Sequence, residues 1–445
     1  MNDQSYASLH IPKSAKPRIV IVGGGFAGIQ LAKGLRNKKF QVVMIDRHNY
    51  HTFQPLLYQV ATAGLEPDSI AGPLRKLFKS HKDFYFRMAT VNRILSEENK
   101  IETSIGNLSY DYLVLANGSK TNFFGNDENF DKAFPLKQVP QALDLRSHLL
   151  QNFEKATMAS QKDERQSLMN FVIVGGGPTG VEVAGALGEL KMHVLPNDYN
   201  ELDFEKMGIF LVEGQSNLLS GMSESASKKA YEFLKRFNVT VKLGTLVKAY
   251  DGKFVKLDDG MVIPSQTLIW AAGVTGNIID GISESCLEGG RILVDSFNKV
   301  KSYDNIYAIG DLALMKTEVY QKGLPMLAPV AVQQGKILAK NLVKLQNGDS
   351  PQPFEYLDKG SMATIGRNKA VVDLPNIRFS GLFAWFVWMF IHLISIIGFR
   401  NKLVVFSNWL WNYFTYDRGT RLIIRPFVRM NKKQKSAKPE EIISN

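Results

Sequence analysis

The chain carries one phrase twice. A β-branched run over 19–22 leads straight into Gly23-x-Gly25-x-x-Gly28, and 29–35 then reads as the start of a helix. A second apolar run over 41–45 follows and closes on Asp46, eighteen residues after Gly28. Where a dinucleotide is held, each part has a task. The first glycine makes the tight turn, the second lets a pyrophosphate approach the backbone, the third packs helix on strand, and the acid accepts from a ribose hydroxyl. Phe171-Val172-Ile173-Val174 repeats the strand and Gly175-x-Gly177-x-x-Gly180 the loop. A helix through Leu190 follows, then a strand over 209–212 with Glu213 at its end. This acid falls 33 residues after Gly180, and a polar insertion over 193–206, with Pro196, Asn197 and Asp198 as turn residues, accounts for the surplus. Two such fingerprints predict two bound dinucleotides, or one dinucleotide and a nucleotide-like cofactor.

The segments around the fingerprints fit an α/β chain of two Rossmann-like dinucleotide-binding domains, one inserted in the other. Residues 84–116 alternate as short strands and end in Ala116-Asn117-Gly118, small residues that let backbone approach a ligand. Residues 137–168 read as charged helix leading into the second domain. Leu268-Ile269-Trp270-Ala271-Ala272-Gly273 repeats the strand-to-small-residue ending, and Ile306-Tyr307-Ala308-Ile309-Gly310-Asp311 returns the chain to the first domain. The expected divisions are 16–120 with 290–372, then 135–275, then C-terminal helices over 376–430, with flexible tails at 1–15 and 434–445. The aromatic-rich stretch 47–61 reads either as a loop packing under the first helix or as a wall of the cofactor pocket.

With 445 residues and a single cysteine, Cys286, the chain holds no internal disulfide framework, cysteine-rich metal site or iron–sulfur cluster. No nucleophile triad or metal-ligand pattern stands out among the seven histidines. The chemistry therefore belongs to cofactors, with a nicotinamide and a flavin as the pair that exchanges hydride. Glu213 favours NADH over NADPH, because a carboxylate bonds a free 2′-hydroxyl and repels a 2′-phosphate. Asp311 is either a turn residue or an acceptor for a flavin's ribityl hydroxyls. Glu182, in the first turn after the second loop, is either a carboxylate favoured by the helix dipole or a neighbour of the nicotinamide.

The formal net charge of +12 suggests an anionic partner, and much of the excess lies late in the chain. Residues 381–399 carry no formal charge and as one helix would reach about 28 Å, close to hydrocarbon thickness. Nine Lys or Arg against one Asp follow between 400 and 435. Four of the five tryptophans, Trp385, Trp388, Trp409 and Trp411, cluster here, where indoles at headgroup level and basic neighbours would meet anionic lipid rather than nucleic acid. His392, Ser395 and the tryptophans favour an interfacial pair of helices over a span. The polar N-terminus shows no secretory h-region. A membrane-bound flavoprotein without metals needs a lipid-soluble acceptor, and quinone is the obvious candidate.

With these motifs in place, residues 16–430 resemble the type II NADH dehydrogenases, single-subunit NADH:quinone oxidoreductases. The likeness rests on both fingerprints, on Phe53-x-Pro55-Leu56-Leu57-Tyr58-x-Val60-Ala61, on Gly177-Pro178-Thr179-Gly180-Val181-Glu182, on Ala308-Ile309-Gly310-Asp311, and on Ala328-x-x-Ala331-x-Gln333-Gln334-Gly335. Ala384-Trp385-x-x-Trp388-x-x-x-His392-Leu393 and Gly398-Phe399-Arg400-Asn401 extend it. The resemblance implies FAD against Gly23, Gly25, Phe26, Ala27 and Gly28, with Asp46, Arg47, Ala116, Asn117, Gly118, Gly310, Asp311 and Ala331. It implies NADH against Gly175, Gly177, Pro178, Thr179 and Gly180, with Glu182, Glu213, Gly214, Ala272 and Gly273.

It further implies Glu182 by the nicotinamide, and Gln333 and Gln334 at a menaquinone or ubiquinone pocket. A homodimer on the cytoplasmic face of the inner membrane, without proton pumping, is also implied. One departure stands out: the family usually has Ala-Gln where this chain has Ala328-Pro329, so quinone contact is expected to shift to Gln333 or to backbone. A sulfide:quinone oxidoreductase or a disulfide reductase would need more cysteine, and a soluble ferredoxin reductase would lack the membrane tail. A flavoprotein resembling apoptosis-inducing factor, acting by binding, is the alternative of another class.

Overall fold

The computed structural model describes residues 6–429, so the tail 434–445 and residues 1–5 lie outside the described residues. Two compact units form: residues 1–52, 71–122 and 273–359 make the first, and 53–70, 123–272 and 360–445 the second. The chain thus leaves its first nucleotide-type fold and later returns to it.

In the first unit, Ile19, Val20 and Ile21 are fully buried, as a β-branched run covered on both faces must be. Their strand, Arg18–Val22, is the centre of a five-stranded parallel sheet in the order Ile306–Ala308, Tyr112–Leu115, Arg18–Val22, Gln41–Asp46, Phe84–Met88. The return strand at 306–308 therefore completes the sheet, as its sequence suggested. The helix Phe26–Gly34 packs along the helix Ala328–Gln346. Small residues set that contact: a Cβ on Gly335 would run into the Ala27 carbonyl and one on Gly34 into Ala339.

Part of the expected N-terminal leader belongs to this core. Tyr6–Ala7 pairs antiparallel with Ile11–Pro12. The Arg87 guanidinium donates to the Leu9 and His10 carbonyls at 2.8 and 2.7 Å, Gln41 donates to the Pro12 carbonyl at 2.8 Å, and Ile11 is fully buried among core strands. Lone apolar residues in a polar stretch hide such a contact from sequence patterning.

In the second unit the order is Phe134–Pro135, Thr267–Trp270, Asn170–Val174, Gly208–Val212, Val239–Lys242, again all parallel and again centred on the strand before a glycine loop. The helix Pro178–Glu189 packs on strand Ser361–Gly366, where Gly185 lets the Ile365 carbonyl approach. Beyond Glu189 the chain does not turn. A π-helical segment Leu190–Val194 and a short helix Leu195–Asp198 carry it onward, so Pro196, Asn197 and Asp198 are helical rather than turn residues. Pro196 sits in a first turn, where its missing N–H costs nothing.

Within the aromatic-rich stretch 47–61, Leu57–Ala61 is a helix of the second unit, against Val139–Met158 and Pro178–Glu189. One further expectation is corrected. The uncharged stretch 381–399 is not one helix but parts of two, Leu382–Ser395 and Phe399–Thr415. Ile396 is extended and Gly398 has φ +92°, a left-handed break that glycine permits. Among the described residues no helix is long and apolar enough to cross a membrane.

Ile11→Ala should cost about 2–4 kcal/mol, the penalty of a cavity in a packed core. Denaturant unfolding would show it, and an unchanged midpoint would place Ile11 outside the core.

Candidate functional site

The two glycine loops are alike bond for bond. In the first, Gly23 takes φ +108° and donates to the Ile45 carbonyl at 2.8 Å. The Gly24 N–H and the His48 N–H reach the Asp46 carboxylate at 2.6 and 2.8 Å. In the second, Gly175 takes φ +107° and donates to the Val212 carbonyl at 2.8 Å, while the Gly176 and Gln215 N–H groups reach the Glu213 carboxylate at 2.5 and 2.8 Å. A Cβ on Gly28 or Gly180 would penetrate the carbonyl of Gly23 or Gly175, whereas one on Gly25 would meet nothing nearer than 3.9 Å and one on Gly177 nothing at all. Each loop thus leaves open space at its middle glycine, before a helix with no acid in its first turn. That is a cradle for a pyrophosphate, with amides and helix dipole aimed at it.

Around the first cradle, the Asn117 amide donates to the Asn277 carbonyl at 2.5 Å and leaves its Oδ1 buried without a partner, an acceptor that fits a bound cofactor. Asp311 accepts from the Ser119 hydroxyl at 2.5 Å, and Gly118 accepts from the Asn277 N–H at 2.9 Å. Ala116 closes on Gly23, and Ala331 and Ala27 flank Gly310, which takes φ +74°. Arg47 is exposed beyond Asp46. Sequence reasoning passed over His51. Its Nδ1 lies 3.0 Å from the Gly24 carbonyl, Phe26 meets it edge-on at 5.0 Å, and burial pushes it down to about 4, so it is neutral and pins the loop. Only the aromatic density of that stretch hinted at it.

Around the second cradle, Pro178 opens the helix, Thr179 is exposed, and Leu246 covers Gly214. Ala272 closes on Gly175, and Gly273, at φ +71°, begins the return to the first unit.

Glu182, one turn into the second-loop helix, reaches a cavity of about 100 Å³ inside the second unit. Burial holds its carboxyl well above the usual range, against a smaller opposing pull from the Thr364 N–H. Tyr58, Gln59, Trp388 and Trp409 share the cavity wall. Gln59 donates to the Tyr58 hydroxyl at 2.8 Å and accepts from the Trp409 indole at 2.9 Å. At the far side Arg418 donates to Glu189 at 2.8 Å and to the Thr62 carbonyl at 3.0 Å, joining the helix that bears Glu182 to the helix that bears Tyr58. Arg367 gives its N–H to Glu189 at 2.5 Å and its guanidinium to the Asn412 and Tyr413 carbonyls, which caps the last helix.

The comparisons with known proteins now decide the family. Residues 17–335 match the pyridine nucleotide-disulphide oxidoreductase family and residues 359–416 the NDH2 C-terminal domain. A type II NADH:quinone oxidoreductase of Mycobacterium tuberculosis is 34% identical over 418 residues, covering 90% of this chain and 89% of that one. One of Staphylococcus aureus is 30% identical over 80% of this chain and 89% of its own. The chain belongs to the type II NADH:quinone oxidoreductase family. NDH2 of Plasmodium falciparum, solved in complex with NADH, shares the fold at a TM-score of 0.85 and 22% identity, over 92% of this chain and 100% of that one.

Of the two glutamines expected at a quinone, Gln334 is buried and accepts from the Gly310 N–H at 2.7 Å. Gln333 exchanges two hydrogen bonds with the backbone of Leu357, at 2.9 and 3.1 Å. Pro329 itself sits in the first turn of its helix, a position proline favours.

Trp388 and Trp409 are buried rather than at headgroup level, Trp385 stacks on Tyr413 at 5.4 Å, and Trp411 is the exposed one. Three of the nine basic residues of the flank pair with acids of the same unit: Arg418 with Glu189, Arg421 with Asp198 and Arg425 with Asp144.

The Glu182 proton has a measurable consequence. The folded carboxyl holds its proton more tightly than the unfolded one, so its contribution to stability is complete below the unfolded value near 4.5 and fades as pH rises through the raised folded value. Glu182→Gln has no proton to lose. Its thermal midpoint should fall less steeply than that of the wild type between about pH 5 and 9. Parallel slopes would mean an ionised Glu182.

Proposed function

We propose that this chain is a membrane-associated, FAD-dependent oxidoreductase that oxidises NADH and reduces a quinone. The observation that carries the reading is the doubled cradle, each with its own acid, in a chain of the type II NADH:quinone oxidoreductase family. FAD at the first cradle would accept hydride from NADH and release two electrons to the quinone. The chain's own residues bind and orient. The loop amides of Gly24 and Gly176 fix the two acids that would receive ribose hydroxyls, and Glu213 disfavours a 2′-phosphate. Glu182, its carboxyl raised well above the usual range by burial, would stand beside NADH.

Support for membrane association lies in two apolar stripes. Phe383, Phe386, Phe390 and Ile394 are exposed on Leu382–Ser395, and Phe399, Leu403, Phe406, Leu410 and Phe414 on Phe399–Thr415, each series at three- and four-residue steps. Such helices lie in an interface with the stripe inward. Exposed Arg400, 3.7 Å from the Asp68 carboxylate, and half-buried Lys402 stand in the first turn of the second helix. A homodimer on the cytoplasmic face of the inner membrane, without proton pumping, completes the reading by family likeness. The relatives lend no support to the binding-protein alternative.

Anaerobic mixing of the holoenzyme with NADH should bleach its yellow absorbance, and a menaquinone analogue should restore it. Bleaching without recovery would remove quinone as the acceptor. Glu213→Arg should raise the KM for NADH at least about tenfold, the scale of a lost charged hydrogen bond, and improve use of NADPH. Unaltered NADH kinetics would displace Glu213 from the ribose.

A further inference from the structure

A second basic group lies in the first unit, far in sequence from the late flank. From Phe26 to Phe40 the chain carries Lys33, Arg36, Lys38 and Lys39, and from Ala328 to Gln346 it carries Lys336, Lys340 and Lys344, with no acid in either stretch. The helices Phe26–Gly34 and Ala328–Gln346 pack so closely that a Cβ on Gly34 would lie 2.5 Å from that of Ala339. The last turn of one, with Lys33, thus meets the middle of the other. All seven are exposed except Lys344, which is half-buried. Among the described residues the ion pairs made by lysines of this unit, Lys16–Asp83, Lys100–Glu98, Lys299–Asp304 and Lys316–Glu288, involve none of them. Burial pushes the Lys33 ammonium down, and repulsion from the Lys336 ammonium adds to it. The helix dipole accounts for Lys33 and Lys344, each in a last turn. It does not account for Lys336 and Lys340, which stand mid-helix one turn apart, where like charges destabilise.

On the reading that this chain is membrane-associated, we propose that the lysine face of these two helices is a contact for the anionic headgroups of a bilayer. A face that holds cations against one another without a counter-ion is complementary to a surface of fixed negative charge. Its composition selects lipid over nucleic acid. Six of the seven cations are lysines, point charges on flexible stems, whereas phosphate recognition in nucleic acids favours the planar arginine fork. Bases would also need exposed rings to stack on. The two aromatic residues of these stretches do not offer them: Phe26 meets His51 edge-on and Phe40 is fully buried. Headgroups are mobile and present no fixed geometry, so ammonium groups at one-turn steps meet them without being ordered. The attraction acts across a Debye length, about 8 Å at physiological salt, and requires no insertion of the face. This contact is electrostatic, and so separable by salt from the apolar stripes on Leu382–Ser395 and Phe399–Thr415.

The test is flotation of the holoenzyme with vesicles of phosphatidylcholine alone and of phosphatidylcholine mixed with phosphatidylglycerol. The wild type should bind the mixed vesicles more tightly, and added salt should erase the difference. The variant Lys336→Gln/Lys340→Gln/Lys344→Gln keeps good helix formers at these positions. It should need at least about tenfold more mixed lipid for half-maximal binding, and no more neutral lipid than the wild type. Bleaching by NADH and reoxidation by ferricyanide report whether the variant is folded and loaded with cofactor. Should it fail there, Lys340→Gln alone is expected to cost about fivefold on mixed lipid. Equal wild-type affinity for the two kinds of vesicle, or a folded variant with the wild-type preference, overturns the proposal. A variant that keeps that preference and loses salt-sensitive binding to a DNA duplex overturns it in favour of a nucleic-acid surface. A wild-type enzyme that floats with neither kind of vesicle would instead sink the reading of membrane association itself.

Discussion

A carboxylate that grips a glycine loop by its backbone amide is the interaction on which both nucleotide folds rest. Asp46 and Glu213 each stand at the end of a second strand and accept from the middle of the loop beside it, at 2.6 and 2.5 Å. Each also accepts from an N–H two residues downstream in its own loop, which ties strand end, loop and helix start into one piece. Charge-assisted bonds of this kind are among the stronger ones a surface turn can make. The glycines follow from it. At φ near +107°, with a neighbour's backbone where a side chain would be, no other residue lets the loop come close enough to its acid. The same clamp fixes each carboxylate in one orientation beside its loop.

What distinguishes the second unit is what it builds on that frame. Its glycine helix is hemmed in by strand Ser361–Gly366 and the Leu57–Ala61 helix, and it carries two acids with different partners. Glu189 meets Arg418 and the Arg367 N–H. Glu182 meets one backbone N–H, and burial raises its carboxyl well above the usual range. Arg418 binds the carbonyl end of the Tyr58 helix as well as Glu189, so the wall geometry of the cavity depends on one guanidinium.

How much of this was legible follows from the range of each interaction. The fingerprints and the return at Ile306–Ala308 were readable because local pattern dictates them: β-branched runs, glycine spacing, a closing acid. The burial of Ile11 was not, because one side chain in a polar stretch leaves no period to detect. Pro196 read as a turn because proline usually ends helices, whereas a π-helical segment handed it a first-turn position. At the glycine loops, the backbone geometry around Gly23 and Asp46 follows from local pattern. The bonds of Gln333, Gln334 and His51 were not legible, since they depend on which distant carbonyl or amide lies within reach.

The same limit applies to charge. A run of arginines late in the chain reads as a patch for anionic lipid, yet Arg418, Arg421 and Arg425 spend their charge on Glu189, Asp198 and Asp144. A guanidinium already paired has little to gain from a phosphate, because the new contact must first replace the old one. The apolar stripes from Phe383 to Phe414 are then the larger feature of this segment. The arginines serve another end: they bind the segment after the last helix back onto acids of the nucleotide-type unit. With the end of the last helix fastened by Arg367 and the segment beyond it by Arg418, the helix pair is tied to the helix that bears Glu182 and Glu189.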